Sequence, residues 1–304
     1  MTASGVPYGL LRHHGAMLRM GGQVLMHTAL AALRPGSASP AAAPITPIEP
    51  VTRTIEAPPE ELVEQYIGWA RAWAGATGHY DLELPPHMVS QWSLPLVGEL
   101  LLRMPYRLAS VINQGASLRV HGPLPRNTPL TVRAAVERID QAAGRAKVTV
   151  SISTGTAHQA NLVAARLHMS FLLPGPRAPR QAPQRPPEPQ WRTAGLWHAE
   201  ADDGLRFALL TGDFNPIHWC GPLARRSVFG GTVLHGFGSL VRSYEALEPG
   251  SFSEIDVRFV RPVPLPCSAL SVQLAPADSA DADGWRALRL AGGGDAVHLA
   301  GRVR

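Results

Sequence analysis

The stretch that decides the reading is Leu210-Thr211-Gly212-Asp213-Phe214-Asn215-Pro216-Ile217-His218. Asp213 and His218 stand five positions apart. On one continuous helix their side chains would point about 140° from each other, at about 100° per residue. They converge only if the backbone turns between them. Asn215-Pro216 supplies that turn, because proline fixes its own φ and drives the preceding residue out of the helical region. A carboxylate and an imidazole held together by a rigid turn can grip one water molecule, which is an acid–base arrangement. The competing reading, an Asx turn at the end of a helix with no chemistry, is the default for an isolated acid and histidine.

Working outward, residues 229–238 read Phe-Gly-Gly-Thr-Val-Leu-His-Gly-Phe-Gly. Glycines ahead of a helix let a ligand approach backbone N–H groups closely. Such N–H groups can stabilise a developing enolate-like oxygen. His235 either lines the pocket or is a structural histidine bonded to backbone, and the structural reading is the favoured one. Residues 201–211 and 232–247 carry helical periodicity. The second has few charges and is expected to be buried. Strand-like runs follow at 252–260, 270–274, 285–290 and 296–303.

The first part of the chain repeats this order. Helical patterns cover 58–75, opening on Pro58, Pro59 and three early acids, and 94–103. Strand-like runs follow at 108–121, 130–139, 146–153 and 161–172, with period-two alternation in Val132, Ala134, Val136 and in Val148, Val150, Ile152. Between the halves lies PGPRAPRQAPQRPPEP at 174–189, an extended proline-rich linker. Residues 35–50 read as a weaker one. Helix, helix and antiparallel strands, twice over, fit two sheets that each wrap a central helix and pair side by side. The expected division is 1–49 as an N-terminal helical extension and linker, 50–173 as the first unit, 174–190 as linker and 191–304 as the second unit.

Gly-Asp-Phe-Asn-Pro-Ile-His, followed by Phe-Gly-Gly-Thr-Val-Leu-His-Gly, resembles the hydratase motif of the MaoC-like dehydratases, which include (R)-specific enoyl-CoA hydratases. Residues 84–123 are similar to the degenerate leading unit of the two-hot-dog members, and the resemblance extends over roughly 50–304. It implies an α+β double hot-dog fold. The implied activity is hydration of trans-2-enoyl thioesters, or the reverse dehydration, with Asp213 as base and His218 orienting the water. Asn215, Gly231, His235 and Gly236 fall on the substrate side. The first unit would form the acyl-chain groove. Asp81 and His87 are six apart there and lack the Gly-Asp and Asn-Pro elements, so they are read as non-catalytic. The implied substrate is an acyl-CoA or acyl-carrier-protein thioester, with no cofactor and no metal. A non-catalytic thioester-binding subunit and a hot-dog thioesterase are the alternatives.

Composition narrows the rest. Net charge is +5, nearly all of the basic charge being arginine, with Lys147 the single lysine. The arginines are scattered, which argues against nucleic acid and suits a phosphate-bearing small molecule or an acidic carrier. Cys220 and Cys267, the two cysteines, offer neither a metal-ligand spacing nor a disulfide framework, which fits a reducing cytoplasm. Residues 10–33 are too short and too polar to span a bilayer. They read as an amphipathic helix packed on the body, without stable membrane insertion. A homodimer is left open.

Overall fold

The computed structural model describes residues 5–32, 47–73, 80–108, 111–142, 144–173 and 188–304. Most of the two proline-rich stretches, 35–50 and 174–190, lies outside them. After a 3-10 turn at Tyr8–His13 comes helix α1 (Gly15–Ala32). The first half continues with β1 (Val51–Ile55), α2 (Glu60–Arg71), a 3-10 turn at Pro86–Met88, and α3 (Val89–Leu102). Four strands complete it: β2 (Val111–Val120), β3 (Leu130–Ala142), β4 (Arg145–Gly155) and β5 (Val163–Leu172). The second half runs β6 (Arg192–Ala199), α4 (Asp203–Thr211), a 3-10 turn at Pro216–His218, α5 (Gly221–Arg226) and α6 (Gly236–Ala246). Its remaining strands are β7 (Glu254–Phe259), β8 (Cys267–Leu274), β9 (Arg286–Ala291) and β10 (Val297–Val303).

The strands form one sheet in the order β1-β3-β4-β5-β2-β7-β10-β9-β8-β6. Read inward from either edge, the two halves give the same order, so the chain holds one topology twice. The halves meet where β2 and β7 pair antiparallel, from Gly115 opposite Arg258 to Arg119 opposite Glu254. This is the α+β double hot-dog architecture, its two sheets fused edge to edge. Each half lays its central helix on its own curved sheet. Helix α3 buries Val89, Trp92, Leu96, Val97, Leu100 and Leu101 on one stripe. Opposite it, Leu130, Val132 and Ala134 of β3 and Val148, Val150 and Ile152 of β4 alternate inward. Helix α6 does the same in the second half with Phe237, Leu240, Val241 and Tyr244.

Several boundaries differ from the expectation. Helix α3 begins at Val89, not at 94, because the Pro86–Met88 turn starts it and Pro95 is accommodated inside it. Helix α6 begins at Gly236, not at 232. Val233 bridges Pro264 and the Leu234 N–H donates to the Val263 carbonyl, which keeps that stretch extended. Edge strands β1 and β6 and the short helix α5 carry little periodicity and were not anticipated. Helix α1 does pack on the body, mainly against α3. Among the described residues no helix is long and apolar enough to cross a membrane.

A polar seam joins the halves where α2 meets α6. Trp69 Nε1 donates to Asp203 Oδ1 at 2.8 Å, and Arg242 grips both carboxylate oxygens at 2.7 and 3.0 Å. Glu245, wholly buried, accepts from Tyr80 Oη and from His87 Nε2, both at 2.7 Å, with Arg71 Nε 3.2 Å from its other oxygen. Burial alone would raise the Glu245 pKa. The hydrogen bond and charge of His87, with Tyr80 and Arg71, outweigh that and lower it.

Candidate active site

Helix α4 ends at Thr211, whose hydroxyl turns back to the Phe207 carbonyl at 2.8 Å. Gly212 follows with φ +81° and donates its N–H to the Ala208 carbonyl, a left-handed cap that only glycine adopts cheaply. The chain therefore leaves the helix one residue before Asp213. The Asn215 side-chain oxygen then accepts from the Ile217 N–H at 3.3 Å, and Pro216 opens the turn that ends at His218. Asn215 is thus a turn brace; its side-chain oxygen is engaged by backbone. The turn brings Asp213 and His218 together, and His235 arrives from the far side, directly ahead of α6. One ligating atom from each of the three lies within 4.8 Å of the others.

The hydrogen bonds fix the imidazole tautomers. His218 Nδ1 lies 2.7 Å from the Val233 carbonyl, and His235 Nε2 lies 2.9 Å from the Asp213 carbonyl. A carbonyl only accepts, so each of these nitrogens carries the proton. His218 Nε2 and His235 Nδ1 are left as lone pairs. The latter is buried with no protein partner. Burial lowers the pKa of His218, against the opposing pull of the Asp213 carboxylate and the Val233 carbonyl. Burial, then the neighbouring His218, pushes His235 down to about 3. Both rings are neutral at pH 7.

The site is accordingly a cluster whose open acceptors are the Asp213 carboxylate, His218 Nε2 and His235 Nδ1. A species that donates hydrogens satisfies it, and water is the simplest. The same donor set is also of a type that binds divalent transition metals. The two rings, however, are stacked with centroids 3.6 Å apart and planes 25° from parallel. Two imidazoles on one tetrahedral ion splay apart with each nitrogen about 2.0–2.1 Å from it. The stacked pair fits water better.

The other expected residues divide. Gly236 opens α6, where the first N–H groups lack intrahelical partners. A Cβ there would lie 2.5 Å from the Phe259 ring, so glycine is required. Gly231 is half-buried in the preceding coil with no atom within 4 Å of a Cβ position. Cys220 and Cys267 are free thiols. Asp81 is exposed and His87 is bonded to Glu245, so among the described residues the first half assembles no such cluster. Sequence reasoning missed the Val233 carbonyl, which sets the His218 tautomer; a backbone acceptor leaves no mark in residue type.

Residues 179–280 match the model of the MaoC like domain. This part of the chain is a MaoC-like domain. Asp213, His218 and His235 all fall inside it. No curated protein matches the sequence. HtdX of Mycobacterium tuberculosis is 20% identical, the match covering 84% of this chain and 99% of that one at a TM-score of 0.64. A MaoC-like dehydratase from Phytophthora capsici is 17% identical over 84% and 95% of the two chains, at 0.62. Another Mycobacterium tuberculosis protein, described as a double hotdog fold, is 14% identical over 85% and 96%, at 0.50. At these identities the structures establish the shared fold.

Proposed function

We propose that this protein adds water to trans-2-enoyl thioesters to give (R)-3-hydroxyacyl thioesters, and catalyses the reverse dehydration. The observation that carries the reading is the tie between His218 Nδ1 and the Val233 carbonyl, which leaves Nε2 as an acceptor beside Asp213. A water between them gives one hydrogen to each and aims its oxygen outward. Asp213 takes a proton as that oxygen adds to C3. The proton returns through His218 to C2 on the same face, so both groups end as they began and the addition is syn. Acid–base assistance of this kind is worth on the order of 10²–10⁴-fold in rate. Negative charge developing on the thioester oxygen is met by backbone N–H at the start of α6, near Gly236; one such donor is worth roughly 10²–10³-fold.

In this reading residues 191–304 carry the chemistry and 50–173 form the groove for the acyl chain, with 1–49 as an extension and 174–190 as the linker. The thioester is carried on CoA or on an acyl carrier protein, and scattered arginines suit either. The free thiols suit a cytoplasmic setting. The test is loss of enoyl absorbance with crotonyl-CoA and a longer trans-2-enoyl-CoA, with chiral analysis of the product. An (R)-3-hydroxyacyl product is expected. Thiol release without hydration would instead identify a thioesterase.

A further inference from the structure

The segment ahead of β1 makes contacts that nothing in its own sequence motif announces. Leu10 is buried, and the guanidinium of Arg12 pairs with Glu61 of α2. His14 is only 2% exposed. Its Nε2 lies 2.5 Å from the Leu209 carbonyl in the last turn of α4, 195 residues away in the chain. Its ring meets Phe214 edge-on, with centroids 5.9 Å apart. The last four carbonyls of a helix have no intrahelical donor. Leu209 is one of these, and His14 supplies the missing N–H. Burial keeps His14 below the ordinary imidazole value, which is consistent with a neutral ring donating through Nε2.

Helix α1 then seats itself in two notches. A Cβ on Gly212 would lie 2.8 Å from Met17 Cγ and 2.9 Å from His14 Nδ1. A Cβ on Gly98 of α3 would lie 2.7 Å from Met20 Cγ and Sδ. Met17 and Met20 are three apart, so they share one face of α1. One helix therefore rests on the residue that precedes Asp213 and also on the central helix of the opposite half.

We propose that residues 8–20 are a working part of the active site, with His14 as the positioning residue that fixes the Leu209–Phe214 turn and so aims the Asp213 carboxylate. The proposal rests on Asp213 being the base. His14 touches no reacting atom. It holds the turn from the α4 side, at Leu209, while His235 holds it from the α6 side, at the Asp213 carbonyl. A misplacement of about 1 Å at a reacting group can cost on the order of 10²-fold in rate.

The test compares His14→Ala with His14→Gln in the full chain, following hydration kinetics and amide hydrogen exchange across 209–218. His14→Ala is expected to lower kcat about 10- to 100-fold, with KM changed less than about twofold. His14→Gln, which keeps an N–H for Leu209, is expected to recover most of that loss. Gly98→Leu, which fills the other notch, on α3, is expected to lower kcat in the same direction. An unchanged kcat in His14→Ala, or equal losses in the alanine and glutamine variants, overturns the proposal. If the wild-type chain hydrates no enoyl thioester, exchange still decides. Faster exchange at 212–218 in His14→Ala alone upholds the positioning role while the hydratase reading fails; unaltered exchange sinks the positioning role itself.

Discussion

In the second half, the turn carrying Asp213 and His218 meets His235 at the start of α6, and one ligating atom of each lies within 4.8 Å of the others. In the first half the Pro86–Met88 turn that leads into α3 carries His87, whose Nε2 donates to Glu245 of α6, which also accepts from Tyr80. Strand order and central helix are the same in both. The difference lies in what faces each histidine. His218 and His235 give their protons to backbone carbonyls and keep a lone pair for a ligand. His87 faces a buried carboxylate from the other half and is closed off by protein. The repeated topology thus carries a cluster of open acceptors in one copy and a bolt between the halves in the other.

Breaking each version should have a different signature. The largest effect is expected from His218→Asn, which keeps an N–H for Val233 and removes the Nε2 acceptor. We expect kcat to fall on the order of 10²–10⁴-fold, with the urea midpoint essentially unmoved. Glu245→Gln should do the reverse. It leaves Arg71 without its buried carboxylate, which costs about 3–5 kcal/mol in equilibrium unfolding. The surviving folded protein should keep near-normal turnover.

A smaller effect concerns pH. His235 has its folded pKa pushed to about 3 from an ordinary value of 6.5, and that of His218 is also lowered. Below about pH 6.5 the unfolded chain takes up protons that the folded one refuses. Stability is therefore whole above that pH and falls as pH drops toward 3, by up to about 1.4 kcal/mol per pH unit for His235, with His218 acting in the same direction. His235→Gln keeps a donor for the Asp213 carbonyl and cannot titrate, so urea unfolding between pH 6 and 4 should show a shallower slope. A slope equal to wild type would mean that His235 is not held neutral. By the same sign, the acid limb of kcat should lie below the ordinary imidazole value.

The two regions were unequally legible in the sequence. The Asp213–His218 turn announced itself, because Asn215-Pro216 encodes a local bend and the converging residues lie within nine positions. The double hot-dog order was readable from alternation in β3 and β4 and from the apolar stripe of α6. The bolt was not readable. Arg242 and Glu245 are charges in a mostly apolar helix, but nothing in the sequence names what they meet. Their partners, Asp203, His87, Tyr80 and Arg71, come from segments that only the tertiary fold brings near. The same holds for His14 and Leu209. Edge strands β1 and β6 were missed because one-sided pairing tolerates residues such as Arg53 and Gly195, which blur the alternation.

The measurement that tests the central claim most directly is hydration of crotonyl-CoA by Asp213→Asn and Asp81→Asn side by side, each checked for folding by circular dichroism. If the chemistry resides in the second half alone, Asp213→Asn retains the fold and loses on the order of 10²–10⁴-fold in kcat, while Asp81→Asn matches wild type. Wild-type turnover by Asp213→Asn, or a comparable loss in Asp81→Asn, would contradict the account.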